Sequence, residues 1–528
     1  MLSINDNRLN YFIIIVAVVL TNLVAVVTLD ILIQDDNARY MIVVTNGYRD
    51  IFPWRSFFGI GPQLKWYLMD VMSHSAYLAR LIVLLCFMVP VSLLFYIFNT
   101  RVLAVSAWVA LGTAIIVQSI PALYEFPAFV EGSYPARGML PFIITLLLTT
   151  RFLQSRGHHA ALLAVWVLCW VLSNDVMGEM GLFLYPALLF FLFTEDGSSK
   201  KKWVLFGASA VVVLTRLLAY LSTYGHPTNS VSEAASADFS RRVTQSLEWW
   251  LPISLQLNFA LIVSLALAAL GVAVYFRKRL KATLNSRSRR ALVFYGIWFL
   301  STGAPFWLLS KNFAPRYFYI AYFGLTCIFF ILLDQLWVKR SRFNRSLAIA
   351  ILVTLIGTYS VNRYKQIDEK FSKWNASKQS VYATLRTESI VPGAQIALIN
   401  PSVPTWGFYP WSTGYLQYAF NEAGISGVIG PELSYYDPFD PESCGMQRIM
   451  SCLDPSRPLI AYRYEKKIHL FLQWKLAGNP DSPWILYHSN PDNTLEVMAS
   501  DTGLTKYKEF LQQNDIDSET VLWGGFKP

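Results

Sequence analysis

Two adjacent carboxylates near the start of the chain are well placed for acid–base chemistry. Asp35 and Asp36 closely follow the first long apolar run, and Arg39 and Tyr40 come after them. Residues four apart share a helix face, so Asp35 would meet Arg39 and Asp36 would meet Tyr40. A carboxylate at a membrane interface is partly desolvated, which raises its proton affinity. The pattern is typical of a general base for a hydroxyl group; the alternative is an ordinary charged loop.

A second set of residues could hold a phosphate group. Lys311, Arg316 and Tyr317 lie in the segment KNFAPRY between two apolar runs, Arg216 lies within an apolar run, and Arg137 begins another. Arginine suits bidentate contact with a phosphate. We therefore predict a phosphate-binding site from these five residues. The alternative is that they are interfacial anchors whose charged ends reach the membrane surface.

Two further acids, Asp175 and Glu179, are four residues apart between two short apolar runs. On a helix they would share one face, where they could bind the acceptor or a divalent metal, Mg²⁺ or Mn²⁺. Two carboxylates make a poor metal site unless phosphate or water completes the shell. The pattern leaves metal dependence open, and it also fits a pair that solvates a tight turn.

The elements that must position these residues are membrane-spanning helices. The chain has 528 residues, of which 54% are hydrophobic and 15% charged, and it contains 5 Cys. This composition excludes a string of soluble modules, a disordered chain and a disulfide-dense secreted scaffold. A helix needs roughly 20 apolar residues to cross a bilayer. We predict about eleven spans: 11–29, 77–98, 102–120, 138–150, 160–174, 180–194, 203–221, 255–276, 291–309, 317–337 and 346–361.

The three stretches between 138 and 194 are shorter than the others, so we expect them to be tilted, broken or partly re-entrant. The loops set the orientation. With the N-terminus inside, the inner segments hold most of the basic residues before the tail, including the run 276–290, and the outer loops hold most of the acids. This is the positive-inside pattern. It accounts for the net charge of +10 without nucleic acid, and it leaves contact with membrane lipids.

The fold class is therefore a polytopic α-helical membrane protein with a different kind of tail. We divide it into a transmembrane domain, 1–361, whose first outer loop is 30–76, and an extracytoplasmic domain, 362–528. The tail has turn clusters, a helix-like run at 367–388 and four strand-like runs, which predict a small mixed α/β domain. The runs are 395–400, 458–464, 484–489 and 495–499. Cys444 and Cys452 are confined to this outer domain, whereas the other three cysteines lie in predicted spans. Such a pair suggests a disulfide in an oxidising compartment; two free thiols are the alternative.

The segment Asp35-Asp36-Asn37-Ala38-Arg39-Tyr40 resembles a family motif. It is similar to the acid-acid-x-x-Arg-Tyr motif of membrane glycosyltransferases of the GT-C fold, in the branch of the protein O-mannosyltransferases and lipid A aminoarabinose transferases. The segment GPQLKWYL (61–68) looks like that branch's stretch before the second span. Its Lys65 follows Leu64 instead of preceding it, so no role is carried over to Lys65.

The resemblance implies that Asp35 is the catalytic base. Asp36, where the family usually has Glu, and Arg39 would position the acceptor. It also implies a polyprenyl-phosphate sugar donor and an acceptor at the outer face. No nucleotide cofactor is expected, since the chain has no glycine-rich or Walker motif. We expect a multi-pass glycosyltransferase of the bacterial inner membrane whose active site faces the periplasm. Its acceptor would be lipopolysaccharide, O-antigen, another cell-envelope glycan or lipid, or a protein.

Other functions compete with this one. The nearest is a glucosyltransferase that decorates O-antigen, followed by an O-antigen or polysaccharide polymerase or ligase. From another class comes a flippase or transporter of lipid-linked sugars. Transport predicts charges along a path through the membrane and often an internal repeat, whereas this chain gathers its acids at one face and shows no repeat.

Overall fold

In the computed structural model the chain is mainly helical. The structure describes residues 7–28, 68, 71, 76–123, 133–155, 160–177, 179–224, 239–250, 286–308, 315–336, 342–387, 395–399, 459–463, 484–489 and 495–500. The helices there are α1 Asn7–Thr28, α2 Tyr77–Val102, α3 Ala107–Ser119, α4 Tyr134–Gln154, α5 Ala160–Met177, α6 Glu179–Phe183, α7 Tyr185–Thr194, α8 Ser199–Tyr224, α9 Phe239–Trp250, α10 Ser286–Leu308, α11 Tyr319–Leu336 and α12 Arg342–Thr387. Two 3₁₀ turns, Pro121–Leu123 and Pro315–Phe318, follow α3 and precede α11.

Six helical segments in the described part are long and apolar enough to cross a membrane, as expected of a multi-pass membrane protein. They are Tyr77–Val102, Tyr134–Gln154, Ala160–Met177, Ser286–Leu308, Pro315–Gln335 and Ser346–Asp368. The predicted stretch 255–276 lies outside the described residues, and the others fall on helices. The count of eleven spans stays a prediction.

Three expectations about helix lengths were wrong. The stretches 138–150 and 160–174 are not short, since α4 and α5 have 21 and 18 residues. Helix α4 starts early because Pro135 suits a first helical turn and because the charged Arg137 is buried within that turn. The apolar run 346–361 and the helical run 367–388 form one helix, α12. It continues through the polar residues between them, which hold no Pro or Gly. The third short stretch is broken, as expected, between α6 and α7.

Helix α2 contains a π-helical segment, Leu84–Met88, just before Pro90. Proline has no backbone N–H to continue an α-helical ladder, so the chain widens locally before it. The Met88 carbonyl accepts hydrogen bonds from Ser92 Oγ at 3.0 Å and from Gln118 Nε2 of α3 at 3.4 Å. The Met88 carbonyl in this irregular turn of α2 is thus hydrogen-bonded in part by a side chain of the neighbouring helix α3.

One end of the helical bundle, called here the lower end, is rich in cations that reach solvent. It is where α4 ends and α5 begins, and the positive-inside rule predicts it to be cytoplasmic. Lys201 Nζ donates to the carbonyls of Phe152 at 3.0 Å and Ser155 at 2.5 Å, which end α4. A lysine suits the partial negative charge of a helix C-terminus. Arg290 pairs with Glu195 at this end.

Contacts between Cα atoms divide the chain into two units, and α12 belongs to the first up to Ile367. The second holds the rest of α12 and a four-stranded sheet, with β1 Gln395–Ile399, β2 Leu459–Arg463, β3 Trp484–Ser489 and β4 Leu495–Ser500. The order is β1-β2-β3-β4; the first two pairings are parallel and the last is antiparallel. All four strands were predicted, with ends that agree within one residue.

Candidate functional site

Three aromatic side chains form a layer across the middle of the bundle. The ring of Phe142 in α4 lies 5.2 Å from that of Trp298 in α10 and 6.1 Å from that of Trp170 in α5. Trp170 Nε1 donates to the Ser209 carbonyl of α8 at 3.5 Å, and Trp298 Nε1 to the Ile320 carbonyl of α11 at 2.8 Å. These contacts fix five helices at one level, called here the aromatic layer.

Four of the predicted site residues lie on the same side of this layer. Arg137 precedes Phe142 by five residues and Asp175 follows Trp170 by five, while Arg216 follows Ser209 by seven and Arg316 precedes Ile320 by four. The rise is about 1.5 Å per residue in an α-helix and about 2.0 Å in the 3₁₀ turn that carries Arg316. The four therefore lie roughly 6 to 11 Å above the layer. The structure thus brings Arg137, Asp175, Arg216 and Arg316 to one level, in what we call the upper cluster.

Burial distinguishes the upper cluster from the basic residues of the lower end. The side chains of Arg137, Asp175 and Arg216 are 2%, 4% and 6% exposed, and Arg316 is half-buried. Several lower-end cations are exposed instead: Arg101, Arg151, Lys200, Arg287 and Arg289. Buried charge requires compensation by opposite charge or dense hydrogen bonding. The four residues that define the cluster are three arginines and one aspartate.

Close helix packing holds the α5 side of the cluster. A Cβ atom at Gly138 of α4 would lie 2.1 Å from the Met177 side chain, and one at Gly181 of α6 would lie 2.8 Å from the Asn174 Cα. The first turn of α4 and helix α6 therefore pack directly on the last turn of α5. Because Asp175 lies in that turn, the glycines fix the position of its backbone.

Arg316 packs on the first of two stacked aromatic rings. Its guanidinium lies 5.2 Å from the ring centroid of Tyr317, within the range of a cation–π contact. The Tyr317 ring is stacked on Phe306 of α10, with centroids 5.2 Å apart and planes at 9°. Arg316 and Tyr317 thus lie together, on a short turn that packs against α9, α10 and the turn Pro121–Leu123.

Two buried arginines were missed by the sequence analysis. Arg363 of α12 is 1% exposed. It donates hydrogen bonds to Asn22 Oδ1 of α1, to the Gln118 carbonyl of α3 and to the Leu123 carbonyl just after α3. A periodic signal could have found it, because Arg363 shares a helix face with the apolar positions Tyr359 and Leu352. Arg80 is fully buried on the first turns of α2. Arg80 lies near the start of the apolar run 77–98, as Arg137 lies at the start of its run, so the same signal could have found it.

The remaining predicted residues lie outside the part of the chain that the structure describes. They are Asp35, Asp36, Arg39, Lys311, Cys444 and Cys452. Glu179 begins α6, and only its backbone is described. Within the described ranges, no group of three or more His, Cys, Asp and Glu side chains could hold a metal ion.

The geometry of the upper cluster suits the binding of an anion at the end of a membrane bundle. Buried guanidinium groups in a region of low dielectric interact strongly with a phosphate. Asp175 adds an acceptor for hydroxyl groups at the same level. The chemistry that these four side chains suit is that of binding and charge stabilisation.

No family model and no curated protein matches this chain. Among solved structures, the chain is similar to that of ArnT from Cupriavidus metallidurans, a lipid A aminoarabinose transferase bound there to undecaprenyl phosphate. The identity is 12% and the TM-score 0.45, with 90% of this chain and 93% of that chain covered. A likeness of this degree assigns no role to any residue.

Proposed function

We propose that this protein is an integral membrane glycosyltransferase of the GT-C type. It moves a sugar from a polyprenyl-phosphate donor to an acceptor at the outer face of a bacterial inner membrane. The acceptor is a cell-envelope glycan, a lipid such as lipopolysaccharide, or a protein. The upper cluster would face the periplasm, because most exposed cations of the described residues, such as Arg101, Arg151, Lys200, Arg287 and Arg289, lie at the opposite end and the positive-inside rule makes that end cytoplasmic.

The observation that carries the proposal is the buried positive charge of the upper cluster. A phosphate attached to a membrane lipid cannot be buried without cations, and Arg137, Arg216 and Arg316 supply them at one level of the bundle. Arginine also stabilises the charge that develops on the phosphate as the sugar leaves. Lys311 and Tyr317, which flank the same segment, would complete the donor site.

The first outer loop would supply the acid–base chemistry. Asp35 would take the proton of the acceptor hydroxyl, while Asp36 and Arg39 hold the acceptor and the base in place. Attack in a single displacement predicts inversion at the sugar carbon. Asp175 and Glu179 would bind acceptor hydroxyls, or a divalent metal in which the donor phosphate completes the ligand shell.

The proposal is tested in cells that lack the gene. The surface glycans, lipopolysaccharide and glycoproteins are compared by mass spectrometry after complementation with wild type, Asp35→Asn or Asp196→Asn. Asp196 is a matched control, since it is an exposed aspartate next to the lower-end pair of Arg290 and Glu195. We expect one fixed sugar mass to disappear on deletion and to return with wild type and Asp196→Asn alone.

Other outcomes overturn the proposal in distinguishable ways. A collapsed ladder of chain lengths would indicate a polymerase or ligase. Unchanged glycan, lipid and protein masses would indicate transport or another activity. Full recovery with Asp35→Asn would show that Asp35 is not the catalytic base, and the proposed donor site would then be tested alone. A purified assay with a sugar linked to undecaprenyl phosphate, the lipid bound in the ArnT structure, measures transfer directly.

A further inference from the structure

We infer that Arg363 is a positioning residue for the proposed reaction, because it ties the end of α1, from which the first outer loop departs, to α3 and α12. The inference rests on the proposed function, since only a catalytic first loop needs its starting point held. Arg363 itself lies in the helical segment Ser346–Asp368, which is long and apolar enough to cross a membrane and is far along the chain from that loop.

The guanidinium of Arg363 joins three segments. Nη1 donates to Asn22 Oδ1 at 2.7 Å and also to the Gln118 carbonyl near the end of α3, and Nη2 donates to the Leu123 carbonyl at 2.6 Å. Asn22 Nδ2 in turn donates to the Gln118 carbonyl at 3.3 Å. The planar fork of arginine, with donors in fixed directions, suits this arrangement better than the point charge of lysine.

The side chain of Gln118 extends this network to two more helices. Its Nε2 donates to the Tyr319 hydroxyl of α11 at 2.9 Å and to Ser92 Oγ of α2 at 3.1 Å. Five helices therefore meet at one buried polar network, which we call the Arg363 network. Its members are almost fully buried; Asn22 and Ser92 are 0% exposed and Gln118 1%.

The partners of Arg363 are neutral amide and carbonyl oxygens. A buried arginine held in this way is costly to assemble compared with an apolar side chain, and removal of one partner leaves an uncompensated charge. Such a network fixes one arrangement of the helices more than it adds stability. Tyr359, one turn earlier on α12, donates from its hydroxyl to the Trp250 carbonyl of α9 at 2.6 Å. The same face of α12 thus holds several segments at the upper end.

The location of Asn22 explains why this matters for the reaction. Asn22 lies six residues before Thr28, where α1 ends, and Asp35 follows seven residues later. A displacement of α1 along or about its axis would move the start of the loop by the same amount. Misplacement of a reacting group by about 1 Å can cost on the order of 100-fold in rate.

A donor-binding role would direct the Nη donors of Arg363 at a ligand. They are directed instead at Asn22 Oδ1, at the Gln118 carbonyl and at the Leu123 carbonyl. Its Nη atoms are already bonded to protein oxygens. We therefore expect substitution of Arg363 to lower kcat and to leave KM for the donor unchanged.

The test uses purified full-length protein in nanodiscs with a polyprenyl-phosphate-linked sugar as donor. Arg363→Met, Arg363→Lys, Asn22→Ala and the double variant Asn22→Ala/Arg363→Met are compared with wild type. We expect kcat to fall about 10- to 100-fold in both Arg363 variants, with KM for the donor within about twofold of the wild-type value. Asn22→Ala should show a smaller loss, and the double variant should match Arg363→Met because the two residues act through one contact.

Hydrogen exchange provides a readout that does not depend on transfer. Arg363→Met should increase exchange in the last turns of α1, with little change in α10, and Arg101→Met, at an exposed lower-end arginine, should change neither. Exchange that rises across the whole bundle, or a raised donor KM with normal kcat, would overturn the inference. Independent, multiplicative losses in the double variant would do so too. If wild type transfers no sugar, the proposed function fails. In that case, an increase in hydrogen exchange confined to α1 in Arg363→Met would still show that Arg363 holds α1 in position.

Discussion

Arg216 is a charged side chain that lies in an apolar helix and yet is 6% exposed. A side chain that reached for the membrane surface would expose its charged end, so burial favours a position among neighbouring helices. The other members of the upper cluster lie at the same level, which makes the phosphate of a lipid donor the expected ligand.

Replacement of Arg216 by Met should therefore weaken donor binding. One hydrogen bond to a charged group contributes about 1.5–3 kcal/mol, so KM for the donor should rise roughly 10- to 100-fold. The matched control is Arg287→Met, at an exposed arginine of α10 at the lower end. Transfer assays over a range of donor concentrations measure KM for the donor and kcat. An unchanged KM for the donor in Arg216→Met would remove this residue from the donor site.

Sequence reasoning finds buried charges only when the apolar context is unbroken. Arg137 and Arg216 were identified because each interrupts or begins an apolar run. Arg363 was missed because polar residues surround it in NRYKQ, and the periodic signal that links it to Tyr359 and Leu352 is seen only when 346–361 and 367–388 are treated as one helix. The Asn22 and Gln118 partners carry no local signal at all, since their contacts join distant parts of the chain.

Helix junctions at the upper end depend on two glycines with different surroundings. A Cβ atom at Gly181 would meet the backbone of α5 at Asn174, which cannot move aside, whereas one at Gly138 would meet the flexible Met177 side chain. Gly296 of α10 differs from both, because among the described residues no packed neighbour lies within 4 Å of the point that its Cβ would occupy. These positions predict opposite effects of the same small substitution.

Gly181→Ala should destabilise the protein, and Gly296→Ala should be neutral or stabilising. Overpacking against backbone costs about 1–3 kcal/mol, while alanine in place of glycine within an open helix contributes up to about 1 kcal/mol. Thermal unfolding of the two purified variants in the same detergent provides the comparison. A Tm for Gly181→Ala at or above that of wild type would contradict the packing described for α5 and α6.

At the scale of elements, apolar runs predicted where helices lie better than where they end. The ends of α4 and α12 were wrong because charged and polar residues look like boundaries in a sequence. A helix continues through them when its hydrogen bonds are unbroken and their side chains find partners. The four strands of the sheet were located within one residue, since each is a short β-branched or aromatic run between turn residues.

In the part of the chain that the structure describes, cations differ in burial. Those at the lower end are exposed or half-buried, and the arginines of the upper cluster are buried or half-buried. Exposed cations at the lower end act on topology through the positive-inside rule. Low dielectric strengthens the field of buried arginines, which the proposed function uses in the upper cluster to bind a phosphate, whereas buried Arg363 bonds protein oxygens. The described cations thus fall into groups with different expected roles.

This separation predicts the orientation of the chain. A phosphatase that is active only outside the cytoplasm, fused after Pro528, should be active, and a fluorescent protein that folds only in the cytoplasm should be dark at the same site. For fusions after Lys202, which lies at the lower end, we expect an inactive phosphatase and a fluorescent protein that emits light. Fluorescence at the C-terminus would place the upper cluster in the cytoplasm and contradict the proposed access from the periplasm.

The Arg363 network also has a consequence for synthesis. Asn22 and Arg363 are 341 residues apart, which corresponds to roughly 17 to 70 s of translation at about 5–20 residues per second. The first three helices are therefore made well before the arginine that joins them. An isolated helix that carries an arginine enters a bilayer less readily, by up to about 3 kcal/mol at its centre. Here α12 meets carbonyl and amide acceptors that are already in the membrane. Its insertion therefore completes the packing of α1, α2 and α3, which are made first.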